Sequence, residues 1–462
     1  MDRRQFLGAV GAAAALPRAT LGQGGRKPNI IWIMADDLGV YDVGCYGQKQ
    51  ILTPTIDRLA AEGVKFTQCY AGSTVCAPSR SVLMQGRHSG HSTVRGNAAA
   101  VGGRPPQGRI PLNPDDVTVA EVLKTAGYTT GIVGKWGLGE PGTEGIPNKQ
   151  GFDFWFGYLN QRHAHTYYTD YLWRNTDKVI LKGNLDGKRT EYSHDLMTEE
   201  ALGFVRRAKA KPFFLYLAYT IPHAKFHVPS LEPYADKPWP QQARAYAAMV
   251  TRMDRDIGRL LALLKELGLD RDTIVFFTSD NGGYPDGDAR KMFNPQGPLR
   301  GNKGNLYEGG LRVPMLVRWP GRIKAGRVSD QMWAFWDFLP TAAELAGVEP
   351  PKGIDGISML PAILGKTQSQ SHEFLYWEFR TRGFSQAVRW GDWKGIRGGT
   401  EEPLALYNLK SDLGEKHDVA KAHPDVVARI EGFMARSRTP SKHWPSLPKR
   451  RAPRKPKPKP KK

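Results

Sequence analysis

The chain has 462 residues, 40% of them hydrophobic and 10% aromatic, which is enough apolar material for a large core and excludes a disordered protein. Its length predicts one large domain with a smaller companion, and its formal charge is +21. Three cysteines (Cys45, Cys69 and Cys76) are too few for a disulfide framework and lack the paired spacing of a zinc site, so any one of them can be reserved for chemistry.

The N-terminus reads Asp2-Arg3-Arg4-Gln5-Phe6-Leu7-Gly8, followed by a short Ala-rich run to Leu16 and then Arg18. This is the pattern of a twin-arginine export signal over residues 1–24, cleaved between Ala19 and Gly25. The expected location is therefore periplasmic or extracellular, reached through the twin-arginine machinery. The apolar run is too short to span a bilayer, and no later segment has eighteen uninterrupted apolar residues, so an integral membrane protein is not expected. At the other end, residues 447–462 form a Pro/Lys-rich tail that reads as extended, solvated chain, with nine Lys or Arg and no acid. Setting aside those nine charges and a net +2 in the leader leaves +10 for the body, a balance that suits an anionic substrate. An exported chain is not expected to meet nucleic acid.

Four β-prone apolar runs stop abruptly at polar residues. Asn29 to Ala35 ends at Asp36-Asp37, Thr129 to Val133 at Gly134-Lys135, Phe213 to Thr220 at Pro222-His223, and Thr273 to Thr278 at Asp280-Asn281. Helical patterns lie between them. One starts at Thr53-Pro54 and stops at Gly63; one has a Thr118/Glu121 capping box and stops at Gly127; a long one runs from about Gln241 to Leu267. Alternation of this kind predicts an α/β fold, with a largely parallel sheet covered on both faces over residues 25–365. Such sheets bind ligands beyond the carboxyl ends of their strands, so the four polar groups should converge. Over residues 366–446 short strands joined by turns, closed by a helix from Pro424 to about Arg438, predict a small antiparallel sheet.

Asp36, Asp37, Asp280 and Asn281 offer hard oxygen ligands from two strand ends, a set that suits calcium or magnesium. Asp-Asp and Asp-Asn-Gly also serve as ordinary loop caps. In Cys76-Ala77-Pro78-Ser79-Arg80, the proline fits the first turn of a helix, which puts Cys76 just before a helix N-terminus, where the dipole favours anions. A buried structural cysteine is the alternative.

The stretch Cys76 to Arg80 resembles the signal at which type I sulfatases have a cysteine oxidised to formylglycine. The resemblance extends over Asn29 to Asp37, Gly134-Lys135-Trp136, Gln150-Gly151-Phe152, Pro222-His223, Ser279 to Gly283, Leu299 to Pro314 and Leu406 to Leu409. It implies an alkaline-phosphatase-like fold, a formylglycine-generating enzyme as a processing partner, and hydrolysis of a sulfate ester on a small molecule or polysaccharide. It further implies a calcium ion (or magnesium) at Asp36, Asp37, Asp280, Asn281 and position 76. Position 76 would supply the nucleophile and Arg80 would hold it, Lys135 and Lys303 would neutralise sulfate oxygens, and His223 would protonate the leaving alcohol. The family commonly reads Gly-Lys-Trp-His-Leu-Gly where this chain has Gly134-Lys135-Trp136-Gly137-Leu138-Gly139, so one histidine is missing. His163 and His165 are the candidates to replace it, and Gln161 is a candidate sulfate contact. Tyr167-Tyr168, Tyr171 and Trp173 make an aromatic-rich loop that fits a sulfated polysaccharide or plain core packing. Two rivals remain open: a phosphate or phosphonate ester hydrolase of the same fold, and an inactive protein that binds anionic glycans.

Overall fold

The computed structural model describes residues 27–98, 109–283, 287–380 and 383–447. The expected export signal and nearly all of the basic tail lie outside these residues. In chain order the strands are β1 (Asn29–Ala35), β2 (Val64–Phe66), β3 (Cys69–Tyr70), β4 (Thr129–Lys135), β5 (Phe154–Tyr158), β6 (Tyr171–Arg174), β7 (Asp177–Ile180), β8 (Phe213–Ala218), β9 (Thr273–Ser279), β10 (Met315–Arg318), β11 (Arg327–Ser329) and β12 (Trp333–Ala334). Four more, β13 (Leu375–Phe379), β14 (Ser385–Trp390), β15 (Trp393–Arg397) and β16 (Ala405–Asn408), follow near the C-terminus.

Ten strands form one sheet in the order β11-β2-β10-β9-β1-β8-β4-β5-β6-β7. The central five, β9-β1-β8-β4-β5, run parallel, whereas β10 joins β9 antiparallel and β6 and β7 add an antiparallel edge. The sheet is thus mixed at its margins, where the strands are short and carry little periodic signal. Successive side chains of a strand point to opposite faces. Ile30, Trp32 and Met34 accordingly enter a core with Phe338 and Leu83, while Ile31 and Ile33 enter another with Met253 and Leu260. Burial on both faces explains why the central strands are continuous apolar runs.

Helices cover both faces. The 26-residue helix Gln241–Glu266 buries an apolar stripe that includes Ile257, Leu260, Leu261 and Leu264. The helix Val119–Thr125 begins with the expected capping box, in which the Thr118 hydroxyl accepts from the Glu121 amide and Glu121 accepts from the Thr118 amide. Near the C-terminus, β13-β14-β15-β16 form an antiparallel sheet against which the helix Pro424–Arg436 packs Val426, Ile430, Phe433 and Met434.

Candidate active site

The carboxyl ends of β1, β4, β8 and β9 deliver their polar residues to one place. Asp36 and Asp37 follow β1, Lys135 is the last residue of β4, His223 comes after β8, and Asp280 and Asn281 follow β9. The ends of β1 and β9 are tied to each other: the Asp280 amide donates to Ala35 O (3.0 Å), the Asp37 amide to Asp280 Oδ1 (3.2 Å) and the Leu38 amide to Ser279 Oγ (2.9 Å). Asp37 has φ 66°, a left-handed conformation that aspartate tolerates better than most residues.

Cys76 is the first residue of the helix Cys76–Gln85, with Val75 as its N-cap. Arg80 lies one turn on, on the same face. Both are buried, and the Arg80 guanidinium donates to Lys135 O (2.6 Å) and to Asp280 Oδ2 (2.8 Å). The Cys76 Sγ is 3.5 Å from Asp36 Oδ1 and 3.6 Å from Lys303 Nζ. Lys303 also donates to Asp37 Oδ2 (2.7 Å), and Lys135 to Asp36 Oδ2 (2.6 Å). The loop carrying Lys303 is tied to the turn before Cys76 by the Gly304 amide on Thr74 O (2.9 Å).

Charge and burial compete throughout this cluster. Burial alone would raise the Asp36 carboxyl, but Lys135, His223 and Arg80 together hold it well below the usual range. For Asp280 burial and the Asp36 charge prevail over Arg80, and its carboxyl rises to about 6. Burial, reinforced by Asp36, pushes the Cys76 thiol up to about 12, so as a bare thiol it stays protonated at neutral pH. Lys303 is raised because Asp37 and Cys76 outweigh its burial.

His223 donates from Nδ1 to the carbonyl of Ala224, which leaves Nε2 facing Asp37 Oδ2 at 3.3 Å. Burial lowers its pKa despite Asp37. The imidazole of His165 stacks on His223 with ring centres 3.8 Å apart. Burial and then Lys135 take His165 down to about 2, so it is neutral, and its Nε2 has no hydrogen-bond partner. His163 turns elsewhere: its Nε2 meets Thr169 Oγ1 at 2.5 Å and its ring packs on Tyr158 and Tyr171. The Gln161 side chain is buried, with neither amide atom hydrogen-bonded.

Sequence reasoning did not single out two supports of this site. Tyr167 donates its hydroxyl to the carbonyls of Thr220 and His223, and Asn97 accepts from the Ala77 amide through Oδ1 (2.9 Å). Tyr167 carried a signal as part of the aromatic loop, whereas nothing in the spacing marks Asn97.

The donor set fits a hard divalent cation. Ligand atoms of Asp36, Asp37, Cys76 and His223 lie within 4.8 Å of one another, and the buried Asn281 Oδ1 has no hydrogen-bond partner. A buried oxygen left without a donor beside carboxylates is what a cation of this class satisfies.

The model of the sulfatase family matches residues 28–348. The chain belongs to the sulfatase family. A second model, that of the N-sulphoglucosamine sulphohydrolase C-terminal region, matches residues 302–438 of this sulfatase. It is 37% identical to N-acetylgalactosamine-6-sulfatase of Homo sapiens, over 88% of this chain and 85% of that protein. It is 34% identical to steryl-sulfatase of Mus musculus, over 80% of this chain and 70% of that one. Among solved structures, Ps i-CgsB in complex with k-i-k-neocarrahexaose superimposes with a TM-score of 0.79 at 32% identity, covering 91% of this chain and 95% of that one. The sulfatase therefore has the alkaline-phosphatase-like fold and is a sulfuric ester hydrolase.

Proposed function

We propose that the sulfatase cleaves a sulfate ester on a carbohydrate, using a formylglycine made from Cys76 and a divalent cation held by Asp36, Asp37, Asp280 and Asn281, with calcium favoured over magnesium. The observation that carries this is the position of Cys76: buried, at a helix N-terminus, with its Sγ between Asp36 Oδ1 and Lys303 Nζ. The Sγ marks the place of the formylglycine oxygens. The bound cation would supply Lewis-acid activation of the nucleophile and of a sulfate oxygen.

The remaining work falls to side chains. Lys135 and Lys303, one bonded to each of the paired aspartates, are placed to neutralise sulfate oxygens as charge builds. Arg80 positions residue 76 and is itself locked by Lys135 O and Asp280. His223 anchors its Nδ1–H on Ala224 O, so Nε2 is the atom that, once protonated, gives its proton to the leaving alcohol. His165 is the base nearest in kind to the missing histidine, since its free Nε2 lies on the ring stacked against His223. Export to the periplasm or beyond accords with the leader sequence.

Support for a carbohydrate comes from N-acetylgalactosamine-6-sulfatase and from the oligosaccharide-bound neighbour; steryl-sulfatase supports a steroid instead. The phosphonate monoester hydrolase of Agrobacterium radiobacter, at 20% identity and a TM-score of 0.65, shares the fold alone. Peptide mass spectrometry of the Cys76 segment, from protein made with a formylglycine-generating enzyme, tests the reading directly. The expected result is an aldehyde mass at residue 76 and loss of sulfate release in Cys76→Ala. Full activity with an unmodified thiol would overturn the formylglycine route.

A further inference from the structure

A cavity of about 580 Å³ opens beside the active site, beginning at Ala224, the residue after His223. This size is ordinary for a small-molecule site. Its wall includes Tyr168, Arg189, Lys225, Phe226 and His227, and among the described residues no Asp or Glu lines it. His227 is held below its ordinary value by burial, then by Arg189 and Lys225, so the interior is electropositive.

The position of the cavity relative to the chemistry identifies its contents. In a displacement at sulfur, the leaving oxygen departs opposite the attacking one, and the acid that protonates it stands on the leaving side. His223 is that acid in the reading above, and its Nδ1 is anchored to the carbonyl of Ala224, which is already part of the cavity wall. The cavity wall next to that acid presents Tyr168 and Phe226. Aromatic faces suit the C–H face of a sugar ring. Two basic side chains do not suit an apolar steroid, which would desolvate them without compensation.

We propose that this cavity is a subsite for a second anionic group, a sulfate or a carboxylate, carried by the sugar that bears the scissile sulfate or by its neighbour, with Arg189 and Lys225 as the residues that bind it. The subsite rests on the carbohydrate reading and makes it narrower: the preferred substrate is polyanionic. Arg189 and Lys225 are exposed side chains on a formed wall, so replacing them leaves the core untouched.

The test compares kcat/KM of the full, formylglycine-bearing protein on an aryl monosulfate, a monosulfated neutral disaccharide, and that disaccharide with a second sulfate or with a uronate. A charge-assisted hydrogen bond corresponds to a preference of roughly 10–100-fold for the doubly charged sugars over the neutral one. Arg189→Ala and Lys225→Ala should erase that preference through KM, and salt near 1 M should shrink it in the parent because exposed charges are screened. Comparison of the sulfate and uronate arms shows which anion is favoured. Equal losses on all three substrates, or no preference in the parent, would overturn the subsite while leaving the sulfatase reading intact. Absence of sulfate release from every substrate would instead strike the formylglycine reading; calorimetric binding of the disulfated disaccharide, weakened in Arg189→Ala or unchanged, then decides the subsite alone.

Discussion

The side chain of Gln161 fills the space in front of Gly137, where an added Cβ would stand 1.8 Å from Gln161 Nε2. Gly137 also has φ +81°, which a side chain adopts only under strain. A histidine at position 137 therefore cannot be accommodated by one change. Gly137→His alone is expected to lower both stability and turnover, by about 1–3 kcal/mol in stability. Gly137→His combined with Gln161→Ala should recover a good part of the loss. Thermal melts and steady-state rates of the three variants check this, and a single Gly137→His that outperforms the parent would refute it.

The two histidines of the following loop should behave differently. His165 stacks on His223 and has a free Nε2, whereas His163 is bonded to Thr169. A positioned base contributes about 10²–10⁴-fold to proton removal. His165→Ala should give a burst of alcohol equal to the enzyme present, followed by slow turnover. His163→Ala should lower the melting temperature without creating a burst. Rapid-quench measurements separate the two, and an identical time course for both variants would count against the assignment.

Removal of the divalent cation should abolish activity and lower the melting temperature, and calcium should restore both. A ligand at 100 times its Kd adds about 2.7 kcal/mol to stability, so the shift is measurable without an activity assay. Asn281→Ala removes the oxygen that lacks a donor, and elemental analysis of that variant should show less bound metal than the parent. Equal metal content in both would dismiss this ligand set.

Stability should fall between about pH 6.5 and pH 4 because of His88. Burial takes this imidazole from its ordinary value of 6.5 down to about 4, outweighing Asp355, and its Nδ1 accepts from the Gly90 amide. The folded protein keeps His88 neutral while the unfolded chain binds the proton, so this contribution is complete above pH 6.5 and lost as the pH falls toward 4. A shift of this size corresponds to roughly 3 kcal/mol at most. Urea unfolding of His88→Gln should show a weaker loss across that window than the parent, and parallel curves would discount His88.

The strands that carry the site were legible because each is apolar on both faces and ends in costly polar residues; Asn29–Ala35 is found with the bounds read from the sequence. The marginal strands β2, β10 and β11 were not read, since three or four residues show no period, and their pairing makes the sheet mixed. The motif at Cys76 to Arg80 pointed to a helix, with Cys76 falling inside its first turn rather than before it. The contact between Gln161 and Gly137 joins residues on different strand-end loops, so local pattern could not show it. The same holds for Lys394, which is buried against Glu308 (2.7 Å) and Glu415 (3.4 Å) across the junction of the two sheets.

That junction bears on Lys303. Glu308 is held to about 2 because Lys394 and Arg312 outweigh its burial, and its amide donates to Glu415 Oε2 (2.8 Å). The next residue, Gly309, donates to Arg300 O (2.7 Å), closing the loop from which Lys303 reaches Asp37 and Cys76. The small sheet is thus a clamp on a lysine of the active site. A chain being synthesised has Cys76 early, but the clamp closes only once residue 415 has emerged. A product shortened between Lys394 and Glu415 keeps every strand end that carries ligands and the Lys303 loop itself, but loses the Glu415 carboxylate that accepts from the Glu308 amide at the base of that loop.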